Sequence, residues 1–153
     1  MSDPSSGVFE GREHRLPVRV YYEDTDFTGV VYHANYLRYL ERGRSDFLRL
    51  AAVSHTELLD RPDPAVFAVI RMTLEFKRAA RVDDALLVRT TYDSIRGARL
   101  LVAQTVTRGA ELLLSATVEA ACITPNGRPR RPPSGLNDKL LPYLLAAEGP
   151  DAP

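Results

Sequence analysis

From Val66 onward the chain alternates apolar and polar residues with a period of two, the pattern of strands that bury one face. Val66, Ala68, Ile70, Met72, Leu74 and Phe76 share one side, with Arg71, Thr73, Glu75 and Lys77 opposite. Leu86, Val88, Thr90 and Tyr92 form a second run, turned by Arg96-Gly97-Ala98 into Leu100, Val102, Gln104 and Val106. After Arg108-Gly109-Ala110 comes a last run of Leu112, Leu114, Ala116, Val118, Ala120 and Cys122, closed by Pro125-Asn126-Gly127. Upstream the period changes. Between about His33 and Ala52, Tyr36, Leu37, Leu40, Phe47, Leu48 and Ala51 follow the three-and-four spacing of one helical face. Gly43 sits inside that helix at a cost of about 1 kcal/mol relative to Ala, which predicts that another backbone packs closely there. Val18–Glu23, rich in β-branched and aromatic residues, predicts a first strand, and Asp24–Val31 a loop. One early strand, one long helix and four meandering strands define an α+β domain, a five-stranded antiparallel sheet packed on one helix. Such a sheet leaves an edge strand with unpaired backbone groups, so pairing with a second copy is expected.

The ends differ from this middle. Residues 1–15 are polar with no sustained period and read as a flexible segment, and residues 134–153 read as a short helix followed by a disordered tail. At 153 residues, 44% hydrophobic and 26% charged, the chain has the size and composition of one globular domain. Twenty basic residues balance twenty acidic ones, so no net field favours nucleic acid or an anionic membrane surface. The single cysteine, Cys122, excludes an intrachain disulfide and a Cys-rich zinc site; its inward alternation makes it a core residue. No run of about 18 apolar residues suggests membrane insertion, and the N-terminus lacks the features of a signal peptide, so a cytoplasmic protein is expected.

The chemistry is concentrated in residues 21–36, Tyr-Tyr-Glu-Asp-Thr-Asp-Phe-Thr-Gly-Val-Val-Tyr-His-Ala-Asn-Tyr. They place a carboxylate (Asp26), a glycine turn (Gly29) and an imidazole (His33) just ahead of the helix. Gly29 lets backbone amides approach closely, and the start of the helix aims free N–H groups at a developing oxyanion. By residue type alone, Asp26 reads more readily as a turn aspartate that accepts backbone hydrogen bonds.

This stretch resembles the 4-hydroxybenzoyl-CoA thioesterase-like hotdog enzymes, most closely the branch of acyl-CoA thioesterases associated with the bacterial Tol-Pal envelope system. The resemblance begins at Pro17-Val18-Arg19-Val20-Tyr21-Tyr22-Glu23-Asp24-Thr25-Asp26 and continues through Gly29-Val30-Val31-Tyr32-His33-Ala34-Asn35-Tyr36 into Tyr39-Leu40-Glu41-Arg42, with Arg44 and Leu48. Weaker similarity runs through Arg71–Phe76 and Ala79–Asp84 to about Pro133, so residues 16–133 are expected to form the domain. The resemblance implies a hotdog fold, its sheet wrapped around one long central helix, and hydrolysis of an acyl-CoA thioester to free acid and CoA. It also implies a homo-oligomer, a dimer or two dimers in a homotetramer, with the acyl and CoA sites at the dimer interface.

In the resembling enzymes the carboxylate at the position of Asp26 attacks the thioester carbonyl or acts as general base for water, and both routes stay open here. The backbone amides of Tyr32 and His33 are the oxyanion donors expected from the helix start. The His33 side chain is read as a hydrogen-bonding assistant. Gly29, Tyr32, Tyr36 and Glu41 are candidates for the substrate pocket, although Tyr36 could instead pack in the core and Glu41 could pair with Arg38 or Arg44. Asp24 is read as shaping the loop, and His14 and His55 as surface residues. Phe27-Thr28 departs from the family, where smaller residues are usual.

No Gly-x-Ser-x-Gly elbow, phosphate-binding Gly-x-x-x-x-Gly-Lys loop or His-Glu-x-x-His helix is present, so a metal-free reaction is expected with no cofactor beyond the CoA of the substrate. Clusters at Lys77, Arg78 and Arg81, at Arg96 and Arg99, and at Arg128, Arg130 and Arg131 are candidates for the CoA phosphates. Two rival readings remain: a hotdog hydratase or dehydratase acting on enoyl thioesters, and an envelope-linked scaffold that binds acyl carrier protein or lipid-synthesis enzymes.

Overall fold

The computed structural model describes Ser2 and residues 4–146. Its sheet is antiparallel throughout. Val8–Glu10 (β1), Glu13–Arg19 (β2), Val66–Phe76 (β3), Ala85–Arg96 (β4), Arg99–Arg108 (β5) and Glu111–Ile123 (β6) lie in the order β1-β2-β4-β5-β6-β3. The long helix, Asn35–Leu50 (α1), lies against β2 and β4. Short helices at His55–Asp60 (α2) and Leu136–Leu140 (α3) close the far end. An antiparallel sheet packed on one long helix is the hotdog arrangement, built here with six strands instead of the expected five.

The core follows the alternation. Leu86, Val88, Thr90 and Tyr92 of β4 and Leu100, Val102, Gln104 and Val106 of β5 are all buried. They meet Tyr36, Tyr39, Leu40, Phe47 and Leu48 of α1. Leu37, placed on the apolar stripe by its spacing, is 40% exposed, and Tyr39 takes the inward position. Gly43 is closely packed as expected, but by side chains and not by backbone: a Cβ there would lie 2.8 Å from Val88 Cγ1 and 3.0 Å from Thr90 Oγ1. Beside it, Gln104 Nε2 donates to the carbonyl of Leu40 (2.8 Å) and to Thr90 Oγ1 (2.9 Å), so the polar residues of the inner face are satisfied where the helix is nearest.

Several expectations are corrected. The first long strand is Glu13–Arg19, not Val18–Glu23; Tyr22–Asp24 is a 3-10 turn, held by the Asp24 carboxylate accepting from the amide of Tyr21 (2.8 Å). Residues 8–15, expected to be loosely ordered, form a hairpin turned at Gly11 (φ 63°). Phe9 anchors it by stacking on Tyr143 with ring centroids 4.3 Å apart and meeting Phe47 edge-on. Three residues are too few to show a period, and the contacts that order them are distant in sequence. His14, expected at the surface, is fully buried. Its Nε2 lies 2.7 Å from Asp46 Oδ2, the same oxygen that accepts from the amide of Gly7 (2.7 Å), while Arg49 bonds Asp46 Oδ1 at 2.7 Å.

Two register shifts redirect side chains. An irregularity between Val69 and Arg71 leaves both Val69 and Ile70 46% exposed on edge strand β3, although Ile70 was expected inside. Another, between Val106 and Thr107, buries Leu113 in place of Leu112. α2, unmarked by periodicity, is capped by Ser54, whose side chain accepts from the amide of Glu57 (3.2 Å). Among the described residues, no helix is long and apolar enough to cross a membrane. The tail expected to be disordered lies, from residue 147 on, outside the described residues.

Candidate active site

The Asp26 loop is closed by its own backbone. Thr25 pairs with Val31, the Asp26 amide donates to the Val30 carbonyl (2.9 Å), and the Gly29 amide donates to the Asp26 carbonyl (3.0 Å). Gly29 has φ 84°, a conformation open to glycine at little cost. Phe27 stands fully exposed at the tip, and Asp26 is partly exposed.

A second layer braces the loop from behind. Val31 donates to the carbonyl of Ala80 (2.9 Å), and the amide of Ala80 donates to the hydroxyl of Tyr36 (3.1 Å). Val30 pairs with Arg81, whose amide donates to Asp84 Oδ2 (2.8 Å). Arg108 ties the same segment to the sheet, donating to the Ala79 carbonyl (3.1 Å) and to Asp84 Oδ2 (2.7 Å). Burial works to raise the Asp84 carboxyl, but the Arg81 amide and Arg108 outweigh it and hold the group below the usual carboxylate range. Tyr36 is therefore a buried brace behind the loop.

The helix start is less closed. The amide of Tyr32 donates to the Asp24 carbonyl (2.9 Å), which also accepts from Asn35 Nδ2 (2.7 Å), so Tyr32 does not supply the expected free donor. Asp24 shapes the turn, as its position suggested. The amides of His33 and Ala34 have no intramolecular acceptor among the described residues, and Ala34 caps α1 without a side-chain hydrogen bond. These are unsatisfied donors at the positive end of a sixteen-residue helix. The rings of Tyr32 and His33 lie 4.7 Å apart, both exposed, and His33 meets the ring of Phe76 edge-on at 6.4 Å.

The carboxylate of Asp26 is held by Thr28. Oδ1 accepts from the Thr28 amide (2.8 Å) and from its hydroxyl (2.5 Å). These bonds, the hydroxyl's first, outweigh desolvation and hold Asp26 below the usual carboxylate range, so the group is ionised at neutral pH. In the sequence Thr28 stands out only by its size, but an Asp followed two residues later by Thr is the spacing at which a side chain bonds the turn. Glu41 stands apart from this site. It is exposed, accepts from Ser45 Oγ (2.5 Å), and forms no ion pair with Arg38 or Arg44 among the described residues. With Asp24, Arg42, Asp46 and Arg49 it lines a groove of about 1130 Å³ between α1 and β2, which does not include Asp26, Gly29 or His33. Cys122 is buried, and burial raises its thiol. Among the described residues no group of three His, Cys, Asp or Glu side chains comes together to hold a metal ion.

An ionised aspartate on a glycine loop, followed by the free amides of His33 and Ala34 just ahead of α1, is set on the helix-wrapped antiparallel sheet of a hotdog fold. The family model of the thioesterase superfamily matches residues 28–115, and the chain belongs to that superfamily. It is 43% identical over 108 residues to an acyl-CoA thioesterase, YbgC, of Haemophilus influenzae, covering 71% of this chain and 79% of that protein. It is 40% identical over 124 residues to the acyl-CoA thioester hydrolase YbgC of Escherichia coli, covering 80% of this chain and 91% of that one. Among solved structures, a probable thioesterase from Bartonella henselae superposes with a TM-score of 0.76 at 41% identity, over 79% of this chain and 99% of that chain.

Proposed function

We propose that the protein hydrolyses acyl-CoA thioesters, with Asp26 as the reacting carboxylate. The observation that carries this reading is the held, ionised Asp26 in the loop that leads to the free amides of His33 and Ala34, just ahead of α1. Either Asp26 removes a proton from water, which attacks the thioester carbonyl, or Asp26 attacks directly and water cleaves the resulting anhydride. In both routes the carbonyl oxygen gains charge as the carbon becomes tetrahedral. The His33 amide, with that of Ala34 in place of Tyr32, stabilises it. Collapse expels the CoA thiolate, which takes up a proton; it leaves the free acid directly when water attacked, or the anhydride, which water then opens to the free acid and Asp26. The imidazole of His33 assists at the mouth of the site.

The same reading places the acyl chain against a second copy of the protein. Val69, Ile70 and Phe76 are exposed along edge strand β3, and Phe76 reaches the ring of His33, so a copy paired on that edge would wall the helix start. A dimer, or a dimer of dimers, is the proposed working form.

Thiol release from a panel of acyl-CoAs and acyl carrier proteins, run on wild type and Asp26→Asn, tests the function. Hydrolysis that needs Asp26 is the expected result; equal release by the folded variant would discard the assignment. In ¹⁸O-labelled water, label found in Asp26 would identify the anhydride route, because it enters only when water opens the anhydride at the Asp26 carbonyl.

A further inference from the structure

The loop around Asp26 closes through backbone bonds alone, from the Thr25–Val31 pair to the amides of Asp26 and Gly29. None of these uses the side chain of residue 28. Yet the Thr28 hydroxyl lies 2.5 Å from Asp26 Oδ1, and the Thr28 amide lies 2.8 Å from the same oxygen. Among the described residues no hydrogen bond is made to Oδ2. One oxygen is thus fixed by two donors, and the other is left for a proton or an acyl carbon.

We propose that Thr28 is a positioning residue for Asp26: its hydroxyl and amide clamp Oδ1, fixing the carboxylate's orientation and leaving Oδ2 as the reacting oxygen. This rests on the thioesterase reading given above. A hydrogen bond to the ionised form also resists protonation, so the clamp extends the active form to lower pH. The Val30 amide also favours the ionised form, but less than either Thr28 bond. Glu23 and Asp24 from the preceding turn, His33 from the helix start, and Lys77, Arg78, Arg81, Asp83 and Asp84 from the segment packed behind the loop form no ion pair with Asp26, and Arg108 is committed to Asp84 and Glu111. The amide contact would survive any residue at position 28 that keeps the loop, whereas the hydroxyl contact belongs to Thr or Ser.

Thr28→Val keeps the branched shape and removes the hydroxyl; Thr28→Ser keeps the hydroxyl and removes the methyl. The Asp26 carboxyl is followed by ¹³C NMR titration, assigned by its loss in Asp26→Asn, beside kcat and KM across pH. In Thr28→Val the NMR midpoint and the acid limb of kcat/KM should both move to higher pH. Its kcat should fall roughly three- to tenfold, the worth of one hydrogen bond, with little change in KM. Thr28→Ser should behave as wild type. An unmoved midpoint in Thr28→Val, or equal losses in both variants, overturns the proposal. If the wild type hydrolyses no thioester, the functional reading fails separately, and the midpoints still decide whether the Thr28 hydroxyl holds Asp26.

Discussion

Asp26, His33 and Tyr32 show how much a residue's role depends on which of its groups is free. Asp26→Asn keeps the side chain's size but removes its basicity and charge. It should lower turnover by roughly 10²–10⁴-fold, the typical worth of a positioned acid or base, with an unchanged melting temperature in calorimetry. In the proposed reaction the ionised form is the active one, and its folded-state pKa is depressed. Activity should therefore persist into mildly acidic buffer and be lost only as pH falls through that depressed value, which a kcat/KM profile would show. His33→Ala should cost less than Asp26→Asn, because the amide survives the substitution while the imidazole does not. Tyr32 keeps its amide bonded to Asp24, so substitutions there act through the exposed ring alone.

At the scale of elements, α1 is positioned by two contrasting contacts with the sheet and the N-terminal hairpin. Gly43 brings the helix within van der Waals reach of Val88 and Thr90. Gly43→Ala improves helix propensity by about 1 kcal/mol but forces a Cβ into an occupied space, and overpacking costs about 1–3 kcal/mol. A net loss of stability is expected in a denaturation curve, with a fall in activity as the helix start shifts. Toward the other end, Asp46 joins His14, Gly7 and Arg49. Burial alone would raise the Asp46 carboxyl, but the Gly7 amide and His14 hold it lowered, so this contribution is present above the unfolded carboxylate pKa and lost as pH falls through the folded value. His14→Ala leaves the buried carboxylate short of a donor and opens a cavity. It should cost about 2–4 kcal/mol, read from the urea midpoint.

For the whole molecule, the single chain places Asp26 on an exposed loop, while its groove of about 1130 Å³ lies elsewhere, between α1 and β2. A site that holds an acyl group away from water is not enclosed by this surface alone. Placing a charge on the open edge, as in Ile70→Arg, should therefore give a folded protein that runs as a smaller species in light scattering and has lost most of its thioesterase activity. A variant that stays active as a monomer would show that one chain encloses the site unaided.

The period-two runs from Val66 to Cys122 and the helical stripe around Leu40 and Phe47 were legible because burial of one face imposes its period directly on the sequence. The Asp26 loop was legible through its motif, since a glycine at positive φ and a carboxylate before a helix leave a local signature. What the sequence did not encode locally was set by partners distant along the chain. His14 is buried because β2 carries it under Asp46, thirty-two residues away, and Phe9 is ordered by Phe47 and Tyr143. Ile70 faces outward because a bulge shifts its strand by one residue, which reverses a period-two reading. The Tyr32 amide is taken by Asp24 because the 3-10 turn brings that carbonyl back to it, a closure no spacing rule reports. The sequence determined the four strands between Val66 and Ile123, the long helix and the loop that carries Asp26; only the tertiary structure decided which donors remain free, because a hydrogen bond is settled by whichever partner arrives.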